Sequence, residues 1–247
     1  MRFELDIQKR MRSGKEEFLL RSAFSSSDRA LVLFGPSGSG KTLTLQAMAG
    51  MLTPDEGVIR INGREVFDSG KGVNVPARQR RVGYLFQDYA LFPHLTVEQN
   101  IGFGLKPLFG RLNGRGRRRV RELMAVFGLE KLADQKPSTL SGGQQQRAAL
   151  ARALAPEPEA LLLDEPFSAL DQPLRLRMRE ELSGILKHFD IPTVMVTHDS
   201  DEAESFAETV VVYRDGSVAG MHSTRDAARR GESLSEAIRA EVALAYE

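Results

Sequence analysis

The chain has 247 residues, enough for one large α/β domain or for a core carrying an inserted subdomain. Lys and Arg number 34 against 33 Asp and Glu, so a formal net charge of +1 gives no global field to recruit nucleic acid or an anionic membrane. Cys is absent, which excludes disulfides, thiolate catalysis, Cys-based zinc sites and iron–sulfur ligation, and no apolar run approaches the roughly 18 to 20 residues of a membrane-spanning helix.

The N-terminus MRFELDIQKR alternates apolar and polar residues like a first strand and lacks the apolar core of a signal peptide. The first 29 residues predict antiparallel strands ending in the polar turn Ser25-Ser26-Ser27-Asp28. ALVLFG (30–35) is a short apolar run that breaks into glycines and opens a helix from about Lys41 to Gly50. VIRINGREVF reads as a hairpin, with Asn62-Gly63 as its turn, and RVGYLFQ (81–87) as a buried strand.

Residues 88 to about 155 are predicted to be mostly helical. Thr96 with Gln99 forms a capping box for a helix through Leu105, a second helix runs from about Arg115 to Phe127, and a third from Ser141 to Leu154. Then α/β alternation returns: strand ALLLDEP (160–166), helix Pro173 to Phe189, strand PTVMVTHD (192–199), a helix from Ser200 capped by Asp199 with Glu202, and strands TVVVY and SVAG. A last helix is expected over Leu234 to Tyr246. The basic run RLNGRGRRRVRE (111–122) has no interleaved aromatic residues and reads as a solvated loop and helix face rather than a nucleic-acid site.

Three motifs carry chemistry. GPSGSGKT comprises Gly35, Pro36, Ser37, Gly38, Ser39, Gly40, Lys41 and Thr42, and matches G-x-x-x-x-G-K-[ST] completely. Its glycines let successive N–H groups converge on phosphate oxygens, and the following helix adds its positive end. Lys41 can reach β- and γ-phosphates, the Thr42 hydroxyl can ligate Mg²⁺, and Thr44 is grouped with the nucleotide-binding residues. LLLDEP brings Asp164 to the sheet's C-terminal edge, where it can hold Mg²⁺, while Glu165 faces the attacking water. LSGGQQQR (140–147) places Ser141, Gly142, Gly143 and Gln144 at another anion-binding helix N-terminus. One ATP cannot easily use both phosphate-binding loops of one chain, so the Ser141 loop is expected to close on nucleotide held by a second copy.

In this order, over residues 1 to about 220, the motifs resemble the nucleotide-binding subunit of ABC transporters. The resemblance implies an α/β P-loop NTPase core with a doubly wound, mostly parallel sheet (1–87 and 156–220), a first antiparallel β subdomain within it, and an inserted helical subdomain (88–155). It implies that Gln87 senses Mg²⁺ and γ-phosphate, that Ser168, Ala169, Leu170 and Asp171 cross a dimer interface, and that His198 contacts the γ-phosphate. Phe18 becomes the candidate to stack on adenine, with Phe3 and Phe24 assigned to the core. Two chains are expected to sandwich two Mg-ATP head to tail. Lys41, Gln87, Glu165 and His198 carry hydrolysis, and Thr42, Gln87 and Asp164 serve the metal.

DYALFPHLTVEQNIGFGL, directly after Gln87, resembles the segment of importers for anions and small solutes that receives a membrane subunit. The expected partners are therefore integral membrane permease subunits and, indirectly, a periplasmic or extracellular substrate-binding protein, with the chain peripheral on the cytoplasmic face. The compact N-terminus and KGVNVPARQRRVGYLFQDYALFPHLTV look most like molybdate or tungstate importers, with sulfate importers close behind. An exporter motor, a DNA-repair or chromosome ATPase and a soluble iron–sulfur assembly ATPase are the competing readings. Residues 221–247 are expected to form a helical tail, with the β-rich regulatory domain of many such subunits missing or cut away.

Overall fold

The computed structural model describes residues 1–14, 16–106, 112–168 and 170–243. In chain order the elements are β1 (Phe3–Ser13), β2 (Glu16–Ser26), β3 (Ala30–Phe34), α1 (Lys41–Ala49), β4 (Glu56–Ile61), β5 (Arg64–Asp68), β6 (Val73–Asn74) and β7 (Val82–Leu85). The helices α2 (Val97–Ile101), α3 (Gly114–Val126) and α4 (Gly142–Leu154) follow. The chain then runs through β8 (Ala160–Asp164), α5 (Gln172–Phe189), β9 (Thr193–Thr197), α6 (Ser200–Phe206), β10 (Thr209–Arg214), β11 (Ser217–Ser223), α7 (Thr224–Arg230) and α8 (Leu234–Ala243).

All the described strands join one sheet in the order β6-β5-β4-β1-β2-β11-β10-β3-β9-β8-β7. Strands β10, β3, β9, β8 and β7 run parallel to one another, as the strand–helix alternation predicts, whereas β11 pairs antiparallel with β10. The expected N-terminal antiparallel arm is continuous with them rather than separate. It is joined through the single parallel pairing Ser217↔Arg21, where Arg21 N–H donates to Gly216 O.

Buried parallel strands must be apolar on both faces, and these are. Alternate residues of β8 enter different cores: Leu161 and Leu163 pack on the face of α4 and α5, whereas Ala160 and Leu162 face α1. By the same period of two, Asp164 at the end of β8 falls on the α1 face. Phe3 and Phe24 are buried in the core, as the sequence predicts.

The capping box of Thr96 and Gln99 forms, but α2 ends at Ile101 and the chain tightens into a 3₁₀ turn over Phe103–Leu105. Asn100 explains the tight packing before it: its buried amide donates to the carbonyls of Phe92, Leu95 and Thr96 and accepts from Phe92 N–H. At the other end of the chain β11 continues to Ser223, and α7, capped by Ser223, precedes the expected last helix. The expected end of that helix at Tyr246 lies outside the described residues.

Candidate functional site

Between β3 and α1 the chain turns through Gly35–Gly40. Two glycines are obligatory there. A Cβ on Gly35 would lie 2.4 Å from Tyr213 O, and one on Gly40, at φ +101°, would lie 2.6 Å from Leu20 Cδ1. Pro36, Ser37 and Gly38 form the exposed rim of the loop, while Ser39 is buried beneath it.

Helix α1 starts without a side-chain cap, whereas α2 to α7 each begin under a side-chain acceptor. Its first-turn N–H groups and the positive end of its dipole are therefore left for the loop to use. Inside the loop Lys41 is 3% exposed. Its ammonium donates to Gly35 O (2.8 Å) and Pro36 O (2.7 Å) and makes no ion pair among the described residues. Burial lowers its pKa, against the pull of the Glu165 and Asp164 charges. An uncapped helix end around a buried, unpaired cation suits a polyphosphate.

Asp164 meets this loop from β8. Its Oδ1 accepts from the Thr42 hydroxyl and its Oδ2 from the Tyr84 hydroxyl, each at 2.9 Å. Burial raises the Asp164 pKa, while the two hydroxyl donors and Lys41 act the other way and Glu165 adds to the rise. Among the described residues no cluster of three or more acids, His or Cys could form an all-protein metal cage. Thr42 and Asp164 supply hard oxygen ligands, the donor set by which Mg²⁺ is held together with phosphate oxygens and water.

Glu165 takes the left-handed conformation, φ +42°, which is uncommon for a residue with a side chain. That single turn sends adjacent acids in different directions. Asp164 faces Thr42 and Tyr84, whereas Glu165 faces Gln87 and His198. Gln87 Nε2 donates to Glu165 Oε2 at 3.4 Å, and His198 Nδ1 lies 3.4 Å from Oε1. The His198 side chain is 56% exposed, so the group reaches the surface.

A polar scaffold behind His198 escapes motif reading. Thr197 donates to the buried Glu202 carboxylate and accepts from Asp199 N–H. Arg179 Nη2 donates to Asp199 Oδ2 (2.8 Å) and Glu202 Oε1 (3.2 Å), and Arg175 Nη1 stands 3.7 Å from Asp199 Oδ2. Burial raises the Glu202 pKa, opposed by the bond from Thr197. The sequence signals are the cap of Asp199 with Glu202, in which Asp199 accepts from Glu202 N–H, and the spacing of Arg175 and Arg179, which share a face of α5 one turn apart.

Ser141 caps α4 in a reciprocal capping box. Its Oγ accepts from Gln144 N–H and its own N–H donates to Gln144 Oε1 at 2.8 Å. Gly142 packs closely on Leu170 and Gly143 on Met178 and Leu174; a Cβ on Gly142 would lie 3.2 Å from Leu170, and one on Gly143 3.2 Å from Met178 and 3.6 Å from Leu174. No hydrogen bond or ion pair links Ser141–Gln144 to the 35–42 loop among the described residues. Asp171 accepts from Leu174 N–H and caps α5, and Ser168 donates to Glu165 O. Ala169 lies outside the described residues. Phe18 is half-buried against the loop; its ring lies 3.5 Å from where a Gly40 Cβ would stand.

Thr44 requires a correction. It is fully buried, and both its N–H and its hydroxyl donate to Gly40 O, so it serves the helix and is closed to a nucleotide. Tyr84 is the residue that motif reading missed at the centre. Its signal is a single hydroxyl in the otherwise apolar strand VGYL.

Residues 24–168 match the ABC transporter family model. The chain is 50% identical over 194 residues to an Fe(3+) ions import ATP-binding protein, FbpC 2, of Pectobacterium atrosepticum, covering 78% of this chain and 54% of the relative. It is 47% identical over 196 residues to the spermidine/putrescine import ATP-binding protein PotA of Oleidesulfovibrio alaskensis (79% and 51%). It is 46% identical over 199 residues to the sulfate/thiosulfate import ATP-binding protein CysA of Bradyrhizobium diazoefficiens (79% and 56%). The chain thus spans about half the length of the curated relatives it matches. The fold superposes on the dimeric post-hydrolysis state of the ATP-binding cassette MJ0796 bound to ADP and Pi, with a TM-score of 0.74 and 31% identity, over 90% of this chain and 98% of that one. A second dimeric structure of MJ0796, a bacterial ABC transporter cassette, gives a TM-score of 0.75.

Proposed function

The chain belongs to the ABC transporter family, and from that premise we propose that it is the ATP-hydrolysing motor subunit of an importer. One observation carries this reading: Lys41, Thr42, Gln87, Asp164, Glu165 and His198 gather on one edge of the sheet, with a buried ammonium at one side and the Glu165 carboxylate, beside Gln87 and His198, at the other.

Phosphoryl transfer to water is governed by position and charge, and the residues divide the work accordingly. The 35–42 loop and Lys41 cradle the phosphates of ATP. Thr42, Asp164 and Gln87 would hold Mg²⁺, which would supply positive charge to offset that of the phosphates. Glu165 accepts the proton of the attacking water, and His198 steadies the γ-phosphate. Phe18, beside Gly40, offers its ring to adenine. Ser141–Gln144 and Asp171 reach the nucleotide of a second copy, so that two chains enclose two ATP head to tail. The dimeric MJ0796 structures support this arrangement.

We read 1–87 and 156–223, which includes all of β11, as the nucleotide-binding core and 88–155 as the helical insertion that carries the Ser141 loop; α7 and α8 follow, with Leu234 and Ile238 of α8 buried in the core. No described helix is long and apolar enough to cross a membrane. In this reading the motor works on separate permease subunits from the cytoplasmic face, and a substrate-binding protein delivers the cargo. The relatives above are named for iron(III), polyamine and sulfate or thiosulfate import. Those names support a small-solute importer, and the sulfate relative favours an oxyanion. Molybdate or tungstate rests only on the compact N-terminus, the stretch 71–97 and the run to Thr197.

The test is co-purification of the tagged chain from solubilised membranes, followed by ATPase assay of what is recovered. A permease pair bound to the chain, with hydrolysis stimulated by a substrate-binding protein, is the expected result. A soluble partner with no membrane protein would overturn the importer reading.

A further inference from the structure

The end of β7 touches both acids of the site. Gln87 donates to Glu165, and three residues earlier the Tyr84 hydroxyl donates to Asp164 Oδ2 at 2.9 Å. Tyr84 lies on the α1 face of the edge strand β7, its ring packed on that core and 4.5 Å from the ring of Phe86. It pairs in register with Leu162, two residues before Asp164 on the same face of β8. Two neutral donors thus divide the buried Asp164 carboxylate: Tyr84 holds Oδ2 and Thr42 holds Oδ1. A carboxylate with one oxygen pinned cannot rotate about its last torsion, so the other oxygen keeps facing Thr42.

We propose that Tyr84 is a positioning residue for the divalent cation: its hydroxyl fixes Asp164 so that Oδ1 and the Thr42 hydroxyl form one side of the Mg²⁺ site. This rests on the reading of the chain as a Mg-ATPase. Because the ring of Phe86, next to Gln87, lies tilted against that of Tyr84, displacement of the segment after β7 bears on Asp164 as well as on Glu165.

The test is Tyr84→Phe in the full chain, which removes one oxygen and keeps the ring. Three quantities are read: Mn²⁺ binding with a non-hydrolysable ATP analogue, followed by electron paramagnetic resonance; nucleotide affinity in EDTA; and the Mg²⁺ concentration giving half-maximal hydrolysis. The half-saturating cation concentrations should rise about 10-fold, the low end for losing an outer partner of a metal ligand. Cation-free nucleotide affinity and kcat at saturating Mg²⁺ should stay within about twofold. A purely structural tyrosine would lower the melting temperature and leave the cation dependence alone. Half-saturation within twofold of wild type in both cation assays overturns the proposal. Wild-type chain and Thr42→Ala are measured alongside. If the wild type binds Mn²⁺-nucleotide and Thr42→Ala weakens it while Tyr84→Phe does not, only this inference falls. If the wild type shows no cation-dependent nucleotide binding, the ATPase reading falls with it.

Discussion

The Thr42 hydroxyl donates to Asp164 Oδ1 across 2.9 Å, although 122 residues separate the two in the chain. The bond joins the first turn of α1 to the end of β8, so the phosphate loop and the acidic strand end form one rigid corner. Side chains held this way need little reorganisation when a charged ligand arrives.

Lys41→Ala should lower ATP affinity at least about 10-fold, since hydrogen bonds to charged groups are worth roughly 1.5–3 kcal/mol. The fold should survive, because the lost ammonium is a buried charge without an acid partner. Titration with a fluorescent ATP analogue and a thermal melt check both halves. Unchanged affinity in a folded protein would remove Lys41 from the site.

Glu165→Gln keeps shape and removes charge and most basicity. Hydrolysis should fall by roughly 10² to 10⁴, the usual worth of a positioned general base, while Mg-ATP still binds through the 35–42 loop and Asp164. Size-exclusion chromatography should then show an ATP-dependent dimer that ADP does not support. A mutant that binds ATP yet remains monomeric contradicts the sandwich, and undiminished turnover contradicts the role of Glu165.

The Ser141 loop and the 35–42 loop share no hydrogen bond within the chain among the described residues, so each should complete the other's site across two chains. Lys41→Ala mixed with Ser141→Arg should recover one composite site per heterodimer. Both homodimers should be inactive, and ATPase activity should peak near equal mixing. A flat response across mixing ratios would argue against completion in trans.

Asp164→Asn should melt higher than wild type at neutral pH without nucleotide. Burial raises the Asp164 pKa above its ordinary 3.8. A carboxyl whose folded pKa is raised contributes stability that is fully present below the unfolded value and is lost as pH rises through the folded one. Asparagine has no such loss. The advantage of the mutant should therefore shrink between a neutral and an acidic pH, as wild-type Asp164 takes up its proton on the way. Parallel melts at the two pH values test it; an equal gap at both would show that Asp164 is not the titrating group. The same mutant should lose Mg²⁺-dependent hydrolysis.

Much of the site is legible in the sequence, because glycine-rich turns and strand ends are local events. GPSGSGKT fixes its own loop, and an apolar strand ending in two acids fixes their place at the sheet edge. The capping boxes at Thr96 and Ser141 are equally local, three residues from acceptor to donor. What escapes is long-range. Tyr84 reaches Asp164 over 80 residues, and Arg179 reaches Asp199 over 20; neither pairing has a local pattern. Thr44 misleads for the opposite reason: it follows the motif closely in sequence, but the turn of α1 points it back at Gly40 and away from the loop mouth.

The left-handed turn at Glu165 sets two kinds of fitness against each other. An L-residue in that conformation costs roughly 1–2 kcal/mol, and glycine escapes the cost while losing about 0.5–1 kcal/mol of chain entropy. Glu165→Gly should therefore melt no lower than wild type, yet it deletes the carboxylate that faces His198 and Gln87. A library sorted by heat resistance would keep that variant, and one sorted by phosphate release would discard it.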